Sequence, residues 1–396
     1  MDSKKASTAG SYLAFPAVPE QNPWLDFLRA IAVLLVLMRH GERAITQADP
    51  TAASPLHIVF MNGWSGVDLF FVLSGYLITS QLLHHGIGSQ SFALGRYIAS
   101  RALRILPAYY AVLILTVAGA FPFYAIPQEQ LGIRVVYHVL LLQDYLPANI
   151  NVVFWSLGVE EKFYLLAPIV VGVILACKTN RIRISIFAFC VLGAVSARWL
   201  EFMSQSDWTY DLFFSELRSP FHTSLEPLAV GTALGVWHYH CKLPRVDRNS
   251  TWMWILFGLF LLFLSSHEFM AAISTWDVLA QPLLISMFCG VLVLVALSLS
   301  ETQLPLTGGF RVIARLSYAL YLVHFPLLPL AVTLSKGYST PIFWGVFFLL
   351  SATTAAFLHF TVEKPFLLLK DRIGRTGNAA PISRTGQFIQ APANDR

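Results

Sequence analysis

The apolar residues of this chain stand in long uninterrupted runs, and these runs constrain the fold more than any other feature. Examples are ILPAYYAVLILTVAGAF, MWILFGLFLLFLSS and PLLISMFCGVLVLVALSLS. A helix of about 20 residues spans the roughly 30 Å hydrocarbon core of a bilayer. Because a helix satisfies its own backbone hydrogen bonds in lipid, and the sequence lacks the alternation typical of membrane barrels, we expect helical spans. The sequence predicts an all-α fold, a polytopic transmembrane helical bundle.

Composition and charge favour a membrane protein. The 396 residues are 56% hydrophobic and only 12% charged, whereas soluble domains carry about 25% charged residues. The net charge of +5 is best explained by basic cytoplasmic loops, so no nucleic-acid partner is expected. The cysteines lie in or beside apolar spans without a CxxC spacing, which predicts small hydrophobes and no metal site; they are Cys177, Cys190, Cys241 and Cys289.

Ten spans, N-in and C-in, are predicted. The stretch 135–146 is shorter and more polar, and is interpreted as an interfacial or re-entrant element. Residues 1–22 are expected to be a cytoplasmic tail, and 369–396 a cytoplasmic, disordered tail. Basic residues recur in every second loop, as the positive-inside rule requires for this topology. The predicted spans are 25–42, 60–83, 105–126, 160–177, 184–200, 221–240, 252–266, 278–299, 312–335 and 341–362.

The first span carries Arg29 and His40, eleven residues apart. At about 100° per residue this spacing is close to three full turns, so the two side chains share one face, roughly 16 Å apart along the axis. Each alone has an ordinary explanation, because Arg29 could snorkel to the interface and His40 could form a helix–helix hydrogen bond. A common face favours an interior site. Arg39 lies on another face and is interpreted as an interface anchor.

Two polar groups follow, one at mid-depth of the second span and one in the loop predicted to lie inside. Ser74 and Gly75 interrupt the second span, where they could be a small-residue packing notch; the GxSxG frame of a nucleophile elbow is missing. Arg101 and Arg104 are three residues apart on one helix face. They could be ordinary positive-inside charge, or a pair of guanidiniums that binds phosphates.

Further polar side chains open the fourth span and occupy the ninth. Glu160 and Glu161 lie at a helix start near Trp155, where a carboxylate could simply interact with the helix dipole. Tyr321 and His324 are three residues apart and share a face. An interfacial tyrosine belt explains the tyrosine but does not explain the histidine.

Six segments in order resemble the acyltransferase-3 family of integral membrane O-acyltransferases. The resemblance runs from about residue 23 to 368, which is the predicted membrane domain. It places the family's Arg-x10-His pattern on Arg29 and His40, its Arg-x-x-Arg pattern on Arg101 and Arg104, its Ser-Gly-aromatic-Leu element on 74–77, and its Trp-Ser-Leu-x-x-Glu element on 155–160. The segments are LDFLRAIAVLLVLMRH, GVDLFFVLSGYLIT, RALRILPAYY, WSLGVEEKFYLL, LSYALYLVHFPLL and VEKPF.

The resemblance implies transfer of an acyl group, typically acetyl from acetyl-CoA, onto a hydroxyl. Acceptors in the family are mostly sugars of surface polysaccharide, lipopolysaccharide or lipo-oligosaccharide, and some members acylate macrolides. The short polar tail resembles that of a stand-alone form without the C-terminal SGNH domain. The resemblance also implies that the protein lies in the bacterial inner membrane. One departure concerns the sixth span, where Ser224 stands in place of an expected basic residue before Glu226.

These patterns together give a hypothesis for the site. His40 would be the general base, because an unperturbed pKa near 6.5 suits proton transfer near neutral pH. Glu160 would orient His40, restore its charge state or bind the sugar, and Arg29 would hold the pantetheine or the thioester region of the donor. Arg101 and Arg104 would bind the phosphates of acyl-CoA, a co-substrate; no bound cofactor is expected. A proton-coupled transporter and a structural or sensory membrane protein are the alternative classes, although the latter would need none of the intramembrane polar groups. The residues predicted to bind the acceptor are Asp68, Ser74, Trp155, Tyr321 and His324.

Overall fold

The computed structural model describes residues 22–88, 92–147, 149–241, 251–266, 268, 273–299, 304 and 307–375, and these residues form helices joined by turns and loops. The predicted N-terminal tail lies outside the described residues apart from Asn22. The tail predicted from residue 369 begins as helix as far as Arg375, and 376–396 lie outside the described residues.

The first half of the bundle begins with α1 (Pro23–Ala48), whose start is determined by local contacts. The Asn22 side chain accepts a hydrogen bond from the Trp24 amide. Pro23 occupies the first turn, where its missing N–H costs nothing. Helix α4 (Leu94–Val117) contains Pro107 in its interior and begins earlier than the span predicted at 105–126. The helices are α1 (Pro23–Ala48), α2 (His57–Met61), α3 (Ser65–His84), α4 (Leu94–Val117), α5 (Leu131–Val139), α6 (Trp155–Ala176) and α7 (Asn180–Met203).

The second half contains π-helical turns that precede or follow regular helices, at Phe214–Arg218, Trp276–Ala280 and His359–Glu363. Such turns are frequent where a helix contributes to a functional site. The helices are α8 (Tyr210–Phe213), α9 (Glu226–His240), α10 (Thr251–Leu264), α11 (Gln281–Ser298), α12 (Thr307–Leu334), α13 (Thr340–Leu358) and α14 (Lys364–Arg375).

Six helical segments in the described part of the chain are long and apolar enough to cross a membrane. The prediction of an all-α polytopic membrane protein is therefore confirmed, whereas the count of ten spans stays a prediction. Helix α5 has nine residues, too few to span, in keeping with an interfacial or re-entrant element at 135–146. The six segments are His57–His84, Leu94–Val117, Asn180–Met203, Trp276–Ser298, Thr307–Leu334 and Thr340–Ile373.

Helices α1 and α3 lie side by side at the centre of the bundle. Helices α12 and α13 pack against α1 on one side, and α9 and α11 pack against α3 on the other. Helices α4, α6 and α14 complete the bundle, with α6 against α3 and α14 against α4. Between them, α1 and α3 contact α6, α9, α11, α12 and α13.

The close crossing of helices α3 and α9 depends on two glycines. A Cβ at Gly75 would lie 2.4 Å from the Leu228 carbonyl oxygen, and a Cβ at Gly231 would lie 2.1 Å from the Val72 carbonyl oxygen. Small residues let membrane helices approach to backbone contact, which van der Waals packing then stabilises. The packing notch considered for Gly75 is therefore present in the structure.

Replacing Gly231 with alanine should lower the melting temperature of the protein in detergent, because the new methyl group meets a backbone atom that cannot move independently. Overpacking of this kind costs about 1–3 kcal/mol. Gly172→Ala in α6 is the matched control, since nothing lies within 4 Å of a Cβ there. Helical alanine is more favourable than glycine, so the control should melt at or above the wild-type temperature. Equal melting temperatures for the two variants would contradict the backbone-contact argument.

Candidate functional site

A cavity of about 640 Å³ opens between α1, α3, α4, α6, α12 and the α13–α14 turn. It contains several of the predicted site residues: Arg29, Ser74, Arg101, Arg104, Glu160 and Tyr321. The residues come from distant parts of the sequence and meet because α1 and α3 lie at the centre of the bundle. A concave pocket with convergent polar groups is the usual form of a small-molecule site.

Arginine and lysine side chains outnumber carboxylates in the lining of this cavity. In the described part of the chain, Arg29, Arg101 and Arg104 form no ion pair with a carboxylate. Arg101 is buried with its Nε atom unpartnered, and its guanidinium lies 5.9 Å from the centre of the Tyr164 ring. Buried cations without protein counter-ions favour an anionic ligand. The charged lining residues are Arg29, Arg101, Arg104, Arg315, Lys364, Lys370, Glu160, Glu363 and Asp371.

Within the cavity, Glu160 is held by two hydroxyl groups. The Ser74 Oγ atom donates a hydrogen bond to Glu160 Oε1 at 2.6 Å, and the Tyr164 hydroxyl donates to Glu160 Oε2 at 3.0 Å. The carboxylate is therefore oriented at both oxygens. Glu160 contacts Ser74 and Tyr164 rather than His40, so it does not take the orienting position beside His40 that was one of its predicted roles.

His40 pairs with His324 instead. The His324 Nδ1 atom lies 2.8 Å from the Tyr321 carbonyl oxygen and 3.1 Å from that of Leu320. Carbonyl oxygens only accept, so Nδ1 of His324 carries the proton and its Nε2 is an acceptor. The His40 Nδ1 atom, 3.0 Å away, therefore donates, and the Nε2 atom of neutral His40 keeps a free lone pair.

The two histidines lie outside the lining of the cavity. His40 contacts the Phe325 ring edge-on, with ring centroids 5.2 Å apart, and His324 is fully buried. Tyr321 connects the two places, because its side chain lines the cavity while its carbonyl oxygen accepts from His324. The structure thus contains an arginine-lined cavity and, beside it, a histidine whose tautomer is fixed.

Two residues predicted to bind the acceptor lie in a different cluster. Asp68 is fully buried, and its two carboxylate oxygens each accept a 2.9 Å hydrogen bond from Arg218. The Arg218 guanidinium lies between the rings of Trp64 and Trp155, at 5.0 and 5.3 Å. Asp68 and Trp155 are therefore not part of the cavity lining, and they hold α3 and α6 to the Phe214–Arg218 turn.

Glu226 has its basic partner after all. The Arg198 side chain of α7 forms an ion pair with Glu226 and donates to the backbone carbonyls of Thr223 and Val278, at 2.6 and 2.9 Å. A basic residue was expected at the position of Ser224; in the structure Arg198 of α7 is the basic partner of Glu226 instead. Arg198 therefore joins α7 to the start of α9 and to the Trp276–Ala280 turn.

Arg39 corrects one interpretation from the sequence. It is 5% exposed, and its guanidinium contacts the Met61 sulfur at 3.0 Å and the Tyr210 hydroxyl at 3.4 Å. The prediction that it anchors the helix at the interface is therefore wrong, because α2 and the start of α8 cover it. Neither contact is signalled by spacing within the first span.

The turn after α5 fixes the start of α6, and hence Glu160. Lys162 donates a 2.6 Å hydrogen bond to the Asp144 carboxylate, which packs against Gly158. Burial raises the pKa of Asp144, while the hydrogen bond and charge of Lys162 oppose that rise. Sequence reasoning missed the Lys162–Asp144 pair. It also missed the cavity residues of α14 and of the His359–Glu363 turn, where the His359 Nδ1 atom lies 2.8 Å from the Glu363 carboxylate.

Comparisons with known proteins agree on one family. Residues 22–361 match the family described as an acyltransferase domain. A peptidoglycan O-acetyltransferase of Listeria monocytogenes is 26% identical over 361 residues, which cover 84% of this chain and 53% of the relative. An O-acetyltransferase of Staphylococcus aureus is 31% identical over 171 residues, 40% of this chain and 26% of the relative. The chain thus spans about half the length of the first relative, and no solved structure gave a significant match.

The buried Asp68–Arg218 pair leads to a stability prediction. Asp68→Asn should lower the melting temperature strongly, because removing one partner of a buried pair leaves a buried charge and costs about 3–5 kcal/mol. The double variant Asp68→Leu with Arg218→Met removes both charges and should melt closer to the wild type. Size-exclusion chromatography after heating in detergent measures both. A single variant as stable as the wild type would show that the pair does not hold the helices together.

Proposed function

The chain belongs to the acyltransferase-3 family, and from this premise we propose that it is a membrane O-acetyltransferase. In this proposal it moves an acetyl group from acetyl-CoA to a hydroxyl of a saccharide in the bacterial cytoplasmic membrane. The observation that carries the proposal is the juxtaposition of an arginine-lined cavity with the His40–His324 pair. Acyl transfer from a thioester requires both a held anionic donor and a base for the hydroxyl.

The donor fits the charge of the cavity. Coenzyme A carries phosphates, and guanidiniums bind phosphate oxygens in a planar, bidentate geometry. Arg101 and Arg104 lie on one face of α4, and Arg29 of α1 lines the same cavity. The two arginines of α4 would hold the phosphates, and Arg29 would lie nearer the thioester. A volume of about 640 Å³ is within the range of cofactor pockets.

His40 would act as the general base at the acceptor step. Its Nε2 atom takes the proton of the acceptor hydroxyl while the hydroxyl oxygen attacks the acyl carbonyl. His324 would be a positioning residue, because its Nε2 atom accepts from His40 Nδ1 and so keeps the His40 lone pair on Nε2. Its Nδ1 atom is in turn fixed by two backbone carbonyls of α12.

The acceptor is proposed from the relatives. Their printed names include a peptidoglycan O-acetyltransferase, which favours a sugar hydroxyl of a surface glycan over a macrolide. Lipopolysaccharide and lipo-oligosaccharide present the same chemical group. The test is to incubate purified protein in detergent or vesicles with labelled acetyl-CoA and each acceptor class, and to score alkali-labile ester on the acceptor. Absence of ester with every hydroxyl acceptor, macrolides included, would reject the proposed function.

His40→Ala should reduce ester formation by about 10²–10⁴-fold, the usual contribution of a general base, at unchanged protein abundance. His85→Ala is the matched control, because His85 is exposed and bonds only the Gln81 carbonyl in the described part of the chain. Initial rates at saturating acetyl-CoA measure both variants. Near-wild-type activity of His40→Ala would remove His40 from the reaction.

Arg101→Ala with Arg104→Ala should raise the KM for acetyl-CoA by about a hundredfold or more, since two charge-assisted hydrogen bonds are lost and each is worth about 1.5–3 kcal/mol. Arg96→Ala is the control, because Arg96 lies on the same helix but is exposed and outside the cavity. Rates measured over a range of acetyl-CoA concentrations separate KM from kcat. An unchanged KM in the double variant would exclude a phosphate-binding role for this pair.

A further inference from the structure

The strongest unassigned feature of the cavity is the chain of hydrogen bonds from Ser74 through Glu160 to Tyr164. Ser74 Oγ donates to one oxygen of Glu160 at 2.6 Å, and the Tyr164 hydroxyl donates to the other at 3.0 Å. All three residues line the cavity. An activated hydroxyl nucleophile needs a base within hydrogen-bond distance, and the base needs a third group that orients it.

Other serines of the cavity are engaged differently. The Ser317 hydroxyl donates to the Ala314 carbonyl of its own helix at 2.8 Å, which is ordinary helix geometry. The Ser156 hydroxyl pairs with the Tyr321 hydroxyl at 2.6 Å. Among these three serines, Ser74 is the one whose hydroxyl meets a carboxylate that can take its proton.

The backbone at Ser74 is fixed by its neighbour. Gly75 packs against the α9 backbone so closely that a Cβ would lie 2.4 Å from the Leu228 carbonyl oxygen. Helix α3 therefore has little room to slide or rotate at this level. A reactive group needs such a rigid support to stay within reach of both its base and its substrate.

The positions of the two candidate bases differ. Glu160 lines the arginine-rich cavity, whereas His40 and His324 lie outside its lining. Transfer in one step would require the thioester of a donor held by Arg101 and Arg104 to reach His40. A carrier on the protein would remove that requirement.

We propose that Ser74 carries the acyl group as a covalent ester between donor and acceptor, with Glu160 as the base of the first step. This inference rests on the proposed O-acyltransferase function and deepens it.

In the first step, Glu160 takes the proton of the Ser74 hydroxyl as Oγ attacks the thioester carbonyl. The carbon–sulfur bond breaks, and the leaving thiolate takes the proton from Glu160, which releases free CoA. In the second step, the acceptor oxygen attacks the Ser74 ester while His40 takes the acceptor proton. Glu160, ionised after the first step, takes a proton from solvent and passes it to the Ser74 oxygen as that oxygen leaves. His40 releases the acceptor proton to solvent, so both bases end the cycle unprotonated.

Isotope exchange tests this scheme directly. In the absence of acceptor, the wild type should exchange labelled CoA into unlabelled acetyl-CoA. The reason is that labelled CoA can attack the acyl-enzyme, which reverses the first step and forms labelled acetyl-CoA. Ser74→Ala should reduce exchange to background and abolish ester formation on the acceptor. Ser335→Ala should retain both activities, because Ser335 is a buried serine outside the cavity lining whose hydroxyl donates to the Ala331 carbonyl.

A second variant separates chemistry from folding. Ser74→Cys keeps a nucleophile of similar size, and incubation with labelled acetyl-CoA should leave label on the protein as a thioester, which neutral hydroxylamine releases. The oxygen ester of the wild type should resist neutral hydroxylamine and be found on the peptide that contains Ser74 by mass spectrometry.

The outcomes distinguish the two proposals. If the wild type forms ester on an acceptor but shows no CoA exchange, or if Ser74→Ala still forms ester, the acyl-serine is overturned and the proposed function stands. If the wild type forms no ester on any of the acceptors tested and shows no CoA exchange, both proposals fail.

Discussion

The organisation of this protein depends on the cost of placing charge inside an apolar bundle. An ionised side chain away from water must be paired, or must face a polar cavity. The structure separates its charges accordingly. Asp68 with Arg218, and Glu226 with Arg198, are closed pairs that join helices, whereas Arg29, Arg101 and Arg104 face the cavity with no carboxylate partner in the described residues. The first group holds the bundle together, and the second defines where an anion can bind.

The central position of α1 and α3 explains how one cavity collects residues from so many segments. Helix α3 is pinned to α9 by backbone contact at Gly75 and Gly231, which places Ser74 beside Glu160 of α6. Helix α12 serves both sides of the site, since the Tyr321 side chain lines the cavity and its carbonyl oxygen fixes the tautomer of His324. A change in the packing of α12 would therefore affect the cavity and His40 together.

Much of the fold could be predicted from the sequence, because apolar runs and loop charges are local signals. The helical class and most helix positions follow from them, and Arg29, Arg101 and Arg104 do meet in one cavity. Partners could not be predicted in the same way. His40 and His324 are 284 residues apart, and Asp68 and Arg218 are 150 apart, so no periodicity connects them. For the same reason Arg39, which local spacing assigned to the interface, is in fact covered by Met61 and Tyr210.

Arg29 and His40 share one face of α1 but belong to different parts of the site. Arg29 lines the cavity while His40, on the same face at another depth, lies beyond the cavity lining and beside His324. In the proposed reaction, a donor anchored by its phosphates at Arg101 and Arg104 would be fixed at the far end of its flexible arm. If the acceptor is bound near His40, the acyl group has to move between two levels of one helix. Ser74, on the helix that packs directly against α1, is placed to carry it, so the separation along α1 and the Ser74–Glu160 contact are two aspects of one geometry.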